Sequence, residues 1–367
     1  MNKFKDLGLT DEIVTVLSKL KYKKTFEVQD KIVPLIMQGK NVVFTSRTGS
    51  GKTLAYLIGF LKKMNKKTGI QLLVVVPTRE LCVQVNKEFT KICEPLGINV
   101  GMLFGGRDIG GDHRTTRKKN QIMVGTPGRL IQHINEKNIK VGEVKYLVFD
   151  ESDQMFDNGF SKDCAYIKER SSNDVQMILS SATISEKVQK FITTEIVDFE
   201  LLKIGKAVPE NIIQEKIFCE IKNKNDLLLD FFKDKKFKRA MIFVNRKSRT
   251  YTISESLTYN GYKAKYLNSD LEQRDRQERL NQFKEGSTEI LVVTDIAARG
   301  LHIKDVDIII NYDVPTKREF YVHRIGRTGR KDKKGYALTI VCPEDDDRFA
   351  NIEFEYELDV KEIKLDL

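Results

Sequence analysis

The sequence predicts an α/β protein of two tandem domains, each a parallel sheet flanked by helices, on three observations. Its 367 residues exceed one ordinary core, at roughly 100 to 200 residues per domain. Short β-branched runs alternate with helical stretches along the chain, which is the pattern of βαβ units. That alternation breaks in "LLKIGKAVPENIIQ" (201–214), where Gly205 and Pro209 interrupt it and no helical period holds. The expected division is 1–203, a linker at 204–210, and 211–367.

The elements follow in order. Ile13, Val16, Leu17 and Leu20 form one stripe of an N-terminal helix, with Thr10 as its N-cap and Asp11 and Glu12 opposing the helix dipole in the first turn. "NVVFT" (41–45), "QLLVVVP" (71–77), "QIMVG" (121–125), "YLVFD" (146–150) and "QMILS" (176–180) read as buried strands of the first domain. After "VVVP", Leu81, Val85, Phe89 and Ile92 mark a helix that packs on its sheet. "RAMIFV" (239–244), "KAKYLN" (263–268), "EILVVT" (289–294), "VDIIINY" (306–312) and "YALTIV" (336–341) repeat the theme in the second.

Composition narrows the function classes. Forty per cent hydrophobic content supports two cores, and a formal net charge of +11 favours a polyanionic partner, either nucleic acid or an acidic membrane surface. "MNKFKDLGLT" has no apolar core of signal-peptide length, and no stretch approaches the roughly 20 apolar residues of a membrane span. An intracellular, soluble protein is expected, neither secreted nor held in a membrane. The five cysteines are scattered and never form a CxxC pair, so reduced thiols without a zinc site are expected, and the four histidines lack metal-ligand spacing.

Chemistry enters directly after "NVVFT". "SRTGSGKT" comprises Ser46, Arg47, Thr48, Gly49, Ser50, Gly51, Lys52 and Thr53. A glycine-rich turn between strand and helix offers backbone N–H groups and a helix N-terminus to phosphate, while Lys52 reaches the terminal phosphates and Thr53 ligates magnesium. The usual pattern begins with Gly or Ala, and Ser46 stands there as another small residue. Magnesium bridging two phosphates also needs a carboxylate from a neighbouring strand end, and "VFDES" supplies one. Asp150 leaves the sheet at the edge where open α/β sheets bind ligands, with Glu151 placed to orient or deprotonate water. An acidic strand end alone is as often a solvated one. Beside "GSGKT" that reading loses ground.

Ten ordered signals then resemble one family, the DEAD-box RNA helicases. They are Gln29 in "FEVQ", "SRTGSGKT", "PTREL" (77–81), "GG" (105–106), "TPGR" (126–129), "DESD" (150–153), "SAT" (181–183), "FVN" (243–245), "TDIAARG" (294–300) and "HRIGRTGR" (323–330). The resemblance covers nearly the whole chain. It implies two RecA-like domains, ATP bound with Mg2+ between them, RNA lying across both, and RNA-stimulated ATP hydrolysis coupled to local duplex unwinding or remodelling of RNA–protein particles. By the same resemblance Gln29 selects adenine, Phe4 lies upstream at the family's spacing in the nucleotide site, Tyr22 occupies the aromatic position that stacks on the base, and Gly300 and His302 lie at the nucleotide in "ARGLHI". Thr25 and Phe26 depart from the family's Pro and Thr, and His302 stands where it has Asp for the ribose. Weaker nucleotide binding, partly restored by His302→Asp, is the expectation from that exchange, with a plain surface histidine as the alternative.

Arg327 and Arg330 match the arginines that meet the γ-phosphate after closure. They would share a face if the stretch is helical. The resemblance gives coupling of hydrolysis to strand separation to Asp153, Ser181, Thr183 and His323. It gives backbone contacts with RNA to Pro77, Thr78, Arg79, Gly105, Gly106, Thr126, Gly128, Arg129, Gln273, Arg276 and Thr294, which implies sequence-independent binding. The basic runs at 233–239 and 330–334 either extend that RNA track or are solvated loops, and the second is the expectation. A monomer with protein cofactors, in nucleus or cytoplasm, is implied. Two alternatives stand beside this reading: an ATP-gated RNA clamp with little unwinding, and a DNA helicase of the same superfamily.

"DESD" carries Ser152 where the family has alanine and a splicing and mRNA-export subgroup has cysteine, a subgroup that "EVQ" also resembles. Its hydroxyl either tunes hydrogen bonding beside the carboxylates or merely fits where alanine fits. The second is the expectation.

Overall fold

In the computed structural model all residues are described except 1–2, 48, 66–68, 107, 234, 299–302, 304–305, 330–333 and 365–367. The chain divides into two compact units, Met1–Gly205 and Lys206–Leu367.

The first unit is built on strands β1 (Asn41–Ser46), β2 (Leu72–Val75), β3 (Val100–Leu103), β4 (Ile122–Gly125), β5 (Tyr146–Phe149), β6 (Gln176–Ser181) and β7 (Phe199–Ile204). They lie in the order β3-β4-β2-β5-β6-β1-β7, every pairing parallel. Strands covered on both faces need apolar side chains on both, and β2, β4, β5 and β6 are buried throughout. Alternation then divides each strand between two cores. Val42 and Phe44 join one with the helices Glu27–Met37, Lys52–Leu61 and Arg79–Cys93, while Val43 joins the other beneath Pro127–Asn135, Ser161–Arg170 and Glu186–Glu195.

The second unit repeats the plan with β8 (Ile212–Phe218), β9 (Ala240–Val244), β10 (Ala264–Leu267), β11 (Ile290–Thr294), β12 (Ile308–Asn311), β13 (Gly335–Val341) and β14 (Lys361–Glu362). Their order is β10-β11-β9-β12-β13-β8-β14, again with parallel pairings. Helices Lys224–Lys233, Lys247–Tyr259, Gln273–Glu285, Arg318–Ile325 and Asp346–Glu355 accompany this sheet.

The ten expected strands are present, and the structure adds β3, β7, β8 and β14. Ile204, placed in the linker, is instead the last residue of β7, whose pairing with β1 runs from Phe199 to Ile204. β7 escaped notice because its mid-strand residues are partly exposed, so no apolar run marks it. In the helix Arg79–Cys93 the stripe Leu81, Val85, Phe89 and Ile92 is buried, and Thr78 Oγ1 caps it by accepting from Leu81 N at 3.2 Å. Thr10 occupies the N-cap of Asp11–Lys19, but its side chain makes no cap bond, and Leu20 lies past the helix end, partly exposed. All five cysteines are free and buried. Among the described residues no helix is long and apolar enough to cross a membrane.

Two consequences of strand order position the site. β5, β6 and β1 are adjacent, so the segments after them leave one edge of the first sheet together. β11, β9 and β12 are adjacent in the second, with the same result.

Candidate functional site

At the end of β1 the chain turns through Gly49 (φ 85°) and Gly51 (φ 89°) into the helix Lys52–Leu61. Both conformations are left-handed, where a side chain is strained. Gly51 is constrained twice, since a Cβ there would sit 2.6 Å from Gln29 Nε2 and 2.9 Å from Phe26 Cδ2. Lys52, only 7% exposed, donates from Nζ to the Ser46 carbonyl at 2.7 Å, and Ser46 Oγ bonds Ser50 Oγ at 2.7 Å. The loop therefore closes around its own cation. Thr48 lies outside the described residues.

Gln29 belongs to this loop. Its Oε1 accepts from Phe26 N at 2.9 Å, and its Nε2 donates to the Gly51 carbonyl at 3.2 Å. An amide has two acceptor lone pairs and two N–H donors, so one of each remains, the pair that an adenine N6/N7 edge takes. Phe4 is buried and meets the half-buried Tyr22 edge-on, with centroids 6.4 Å apart.

Across β6, β5 ends in Asp150, which is 2% exposed. Its Oδ1 accepts from Ser180 Oγ at 2.8 Å and Glu151 N at 3.0 Å, and its Oδ2 accepts from Tyr56 Oη at 2.9 Å. Tyr56 was not singled out from sequence. It lies wholly buried in the helix that begins with Lys52, bonded also to Thr53, and burial followed by the Asp150 charge raises its phenol well above the ordinary range. Every one of these donors to Asp150 is neutral. A buried carboxylate without an ion pair among the described residues suits a cation, and one carboxylate with the Thr53 hydroxyl suits Mg2+, which keeps waters and leans on phosphate oxygens.

Glu151 adopts a left-handed conformation (φ 51°, ψ 48°) at the cap of the helix Ser152–Asp157. For a residue other than glycine this costs energy, and such strain gathers at functional sites. Ser152 is fully buried and its Oγ donates to the Ser180 carbonyl at 3.1 Å. The hydroxyl thus makes a bond that alanine could not. Asp153 Oδ2 accepts from Ala182 N, Thr183 N and Thr183 Oγ1, each at 3.1 Å, and Ser181 Oγ donates to the Thr183 carbonyl at 2.6 Å. A continuous hydrogen-bonded network runs from Thr53 through Tyr56, Asp150 and Ser180 to the "DESD" corner, where Asp153 holds "SAT".

In the second unit the buried centre is Arg324, 1% exposed and absent from the expected site. Its guanidinium grips both Asp295 oxygens at 2.7 Å, the Asp313 carbonyl at 2.7 Å, Asn245 Oδ1 at 3.0 Å and Asn311 Oδ1 at 3.3 Å. Segments after β9, β11 and β12 are thereby tied to the helix Arg318–Ile325. His323 lies half-buried in its last turn. The helix ends at Ile325, and Arg327 sits in the turn that follows it. Gly326 and Gly329 interrupt the stretch. Arg330, Gly300 and His302 lie outside the described residues.

The expected RNA positions divide into exposed and buried. Arg79 is exposed and its guanidinium covers Gly106, where a Cβ would fall 1.8 Å from Nη1 at a backbone φ of 89°. "PTREL" and "GG" are therefore one surface, with Pro77 buried, Thr78 at the helix cap and Gly105 open. Thr126 caps Pro127–Asn135 by position, with Gly128 exposed in its first turn. Arg129 is buried instead, its Nε donating to Asp112 Oδ2 at 2.7 Å. In the second unit Gln273 is exposed, while Arg276 Nη2 donates to the Ala297 carbonyl at 2.6 Å and the buried Thr294 Oγ1 accepts from Ala297 N at 3.4 Å.

Comparison with known proteins matches residues 26–191 to the DEAD/DEAH box helicase model and 223–332 to the helicase conserved C-terminal domain. The chain is 38% identical over 357 residues to the DEAD-box ATP-dependent RNA helicase CshA of Geobacillus kaustophilus, covering 96% of this chain and 76% of that one. The Bacillus subtilis CshA is 35% identical over 353 residues, with 95% and 72% covered. Among solved structures, Saccharomyces cerevisiae Dbp5 bound to RNA and ADP BeF3 is similar at a TM-score of 0.86 and 25% identity, covering 99% of this chain and 96% of that one. A DEAD box protein from Methanococcus jannaschii is 32% identical at a TM-score of 0.56, with 99% of each chain covered.

Proposed function

The chain belongs to the DEAD-box family of ATP-dependent RNA helicases, and from that membership we infer how its own residues divide the work. It is an ATPase that acts on RNA. The observation that carries the assignment of roles is the network joining the phosphate loop to "DESD" and "SAT" through Tyr56, Asp150 and Ser180.

Lys52 leaves the Ser46 carbonyl for the terminal phosphates of ATP, and backbone N–H groups of Gly49, Gly51, Lys52 and Thr53 bind phosphate oxygens. Gln29 reads adenine with its remaining donor and acceptor. Asp150 and Thr53 would hold Mg2+, which would supply positive charge against the phosphates. Glu151 orients the attacking water and takes its proton. Arg327 stabilises the charge that spreads over the transferring phosphoryl group, a contribution of about 10³ to 10⁵ in rate for an arginine finger. Asp153 holds Ala182 and Thr183, so a shift at the phosphates is carried into the "SAT" segment. Arg79, Gly105, Gly106, Thr126, Gly128 and Gln273 meet the RNA backbone, whereas Arg129, Arg276 and Thr294 shape the loops that do so. A single chain is the working unit, and the bacterial relatives favour a cytoplasmic setting over a nuclear one.

The test is ATP hydrolysis with single-stranded RNA or DNA of one sequence, alongside separation of a short duplex and retention of labelled RNA. Stimulation by RNA over DNA with duplex separation is expected, and Glu151→Gln should bind ATP without turnover. RNA retention without duplex separation would favour the clamp.

A further inference from the structure

Between Gly106 and Asn120 the first unit carries a segment to which the motifs assign no role. It runs through a 3-10 turn, Ile109–Asp112, and a short helix, His113–Arg117. Its first end is pinned from inside the protein. Asp112 is fully buried, and its Oδ2 takes Arg129 Nε at 2.7 Å and His133 Nε2 at 3.0 Å. Asn138 Nδ2 donates to His133 Nδ1 at 3.1 Å, so the ring proton sits on Nε2, toward the carboxylate. Arg129 Nη2 also donates to the Asp108 carbonyl at 3.0 Å. The second end is pinned by amides, with Asn120 Nδ2 donating to Thr115 O at 2.8 Å and Asn99 Nδ2 to Lys119 O at 3.1 Å.

Between the pins stand Arg114, Arg117, Lys118 and Lys119, all exposed, and none has a carboxylate partner among the described residues. A buried ion pair is a poor source of stability, because desolvation offsets its attraction and apolar residues would pack as well. What it supplies is a fixed register. Here it fixes four cations in a segment that continues from the Gly105–Gly106 surface and is fastened to the helix of "TPGR". Most charge runs are solvated loops free to move. This one is held, and it is fastened by the arginine that sequence alone assigned to RNA.

We propose that Arg114, Arg117, Lys118 and Lys119 form a phosphate-binding strip that extends the RNA path of the first unit beyond the family motifs, with Asp112, Arg129 and His133 as its positioning residues. The proposal rests on the RNA-helicase reading above. Its ligand is the RNA backbone. On a single strand each neutralised phosphate adds about 0.7 to the salt slope, which at about 0.15 M salt is ~4-fold in affinity, or ~15-fold for two contacts.

The experiment replaces all four cations together (Arg114→Gln, Arg117→Gln, Lys118→Gln, Lys119→Gln) in the full chain, with folding checked by circular dichroism. RNA-stimulated ATPase is measured across RNA and salt concentrations. One RNA is long, and the other is the shortest strand that fully stimulates the unaltered protein. On the long strand the expected result is a KM for RNA raised ~15-fold or more and a salt slope lowered by about 1.4 or more. kcat at saturating RNA and the KM for ATP stay unchanged, and on the short strand the two proteins agree. An Arg114→Lys, Arg117→Lys variant, which keeps the charge, should behave as the unaltered protein. An unchanged KM and slope on the long strand, or an equal loss on both strands, would overturn the strip. An unaltered protein that RNA does not stimulate would instead overturn the functional reading. Should the fourfold variant unfold, Lys118→Gln with Lys119→Gln carries the same test, with half the change in slope expected.

Discussion

Removing one oxygen from Tyr56 should weaken both the first unit and its metal site. Tyr56→Phe keeps the edge-on ring contact with Phe89, 5.9 Å between centroids, and deletes only the 2.9 Å bond to Asp150 Oδ2 and the contact with Thr53. Asp150 keeps Ser180 Oγ and Glu151 N, both on its other oxygen. A hydrogen bond to a charged group contributes about 1.5 to 3 kcal/mol, and the site is too buried for solvent to replace it. For a unit of this size that is a fall in Tm of about 3 to 12 °C. Loss of a partner that orients a metal ligand costs about 10- to 100-fold in metal affinity or activity. The assay pairs thermal unfolding with ATPase rates titrated in Mg2+. The half-saturating Mg2+ concentration should rise at least ~10-fold while kcat recovers at high Mg2+. Tyr259→Phe makes the same chemical change at a tyrosine 92% exposed and should alter neither quantity. If Tyr56→Phe unfolds within about 0.5 kcal/mol of the parent and keeps its Mg2+ dependence, the network does not hold the carboxylate and the reasoning fails.

Three further outcomes follow from the same geometry. Arg324→Lys keeps a charge beside Asp295 but cannot serve Asn245, Asn311 and the Asp313 carbonyl together, so unfolding of the second unit should be easier by about 1 to 3 kcal/mol for each acceptor left without a donor; hydrogen exchange in β11 and β12 reports it, and a loss below about 1 kcal/mol would refute the role. Ser152→Ala should lower stability by about 0.5 to 1.5 kcal/mol through the lost bond to Ser180 O and leave ATP turnover within about twofold, whereas a large drop in turnover would give the hydroxyl a direct part. Burial pushes the Cys93 thiol from 9.0 up to about 12, so the folded chain holds this proton where the unfolded chain releases it. Its contribution to stability is complete below pH 9 and is lost as the pH rises toward 12, at about 1.4 kcal/mol per pH unit, readable as the difference in urea unfolding between the parent and Cys93→Val above pH 9.

What could be read from sequence was whatever is local. Strands such as "LLVV" and "IMVG" are apolar on both faces and announce themselves, as does a glycine turn followed by a lysine. β7 and β14 did not, because exposed residues interrupt or dominate them and only their parallel neighbours make them strands. The same limit governs the site. Tyr56 lies 94 residues from Asp150, and Arg324 lies 29 from Asp295 and 79 from Asn245, so no spacing rule joins them. Arg129 shows the converse. Its motif marks it as a surface cation, but Asp112, three elements away in sequence pattern and fully buried, draws it inward. Burial of a polar group is a tertiary property, and it decides whether a matching letter touches the ligand or the protein.

The bond between Gln29 Nε2 and the Gly51 carbonyl has a thermodynamic corollary. It couples the base pocket to the phosphate loop through one side chain. Coupling of binding free energies is reciprocal. If the loop settles differently around a triphosphate and a diphosphate, the preference for adenine must differ between them by the same factor. Selectivity for the base would then be a property of the nucleotide's phosphorylation state, strongest in one and relaxed in the other, with no residue of the pocket exchanged.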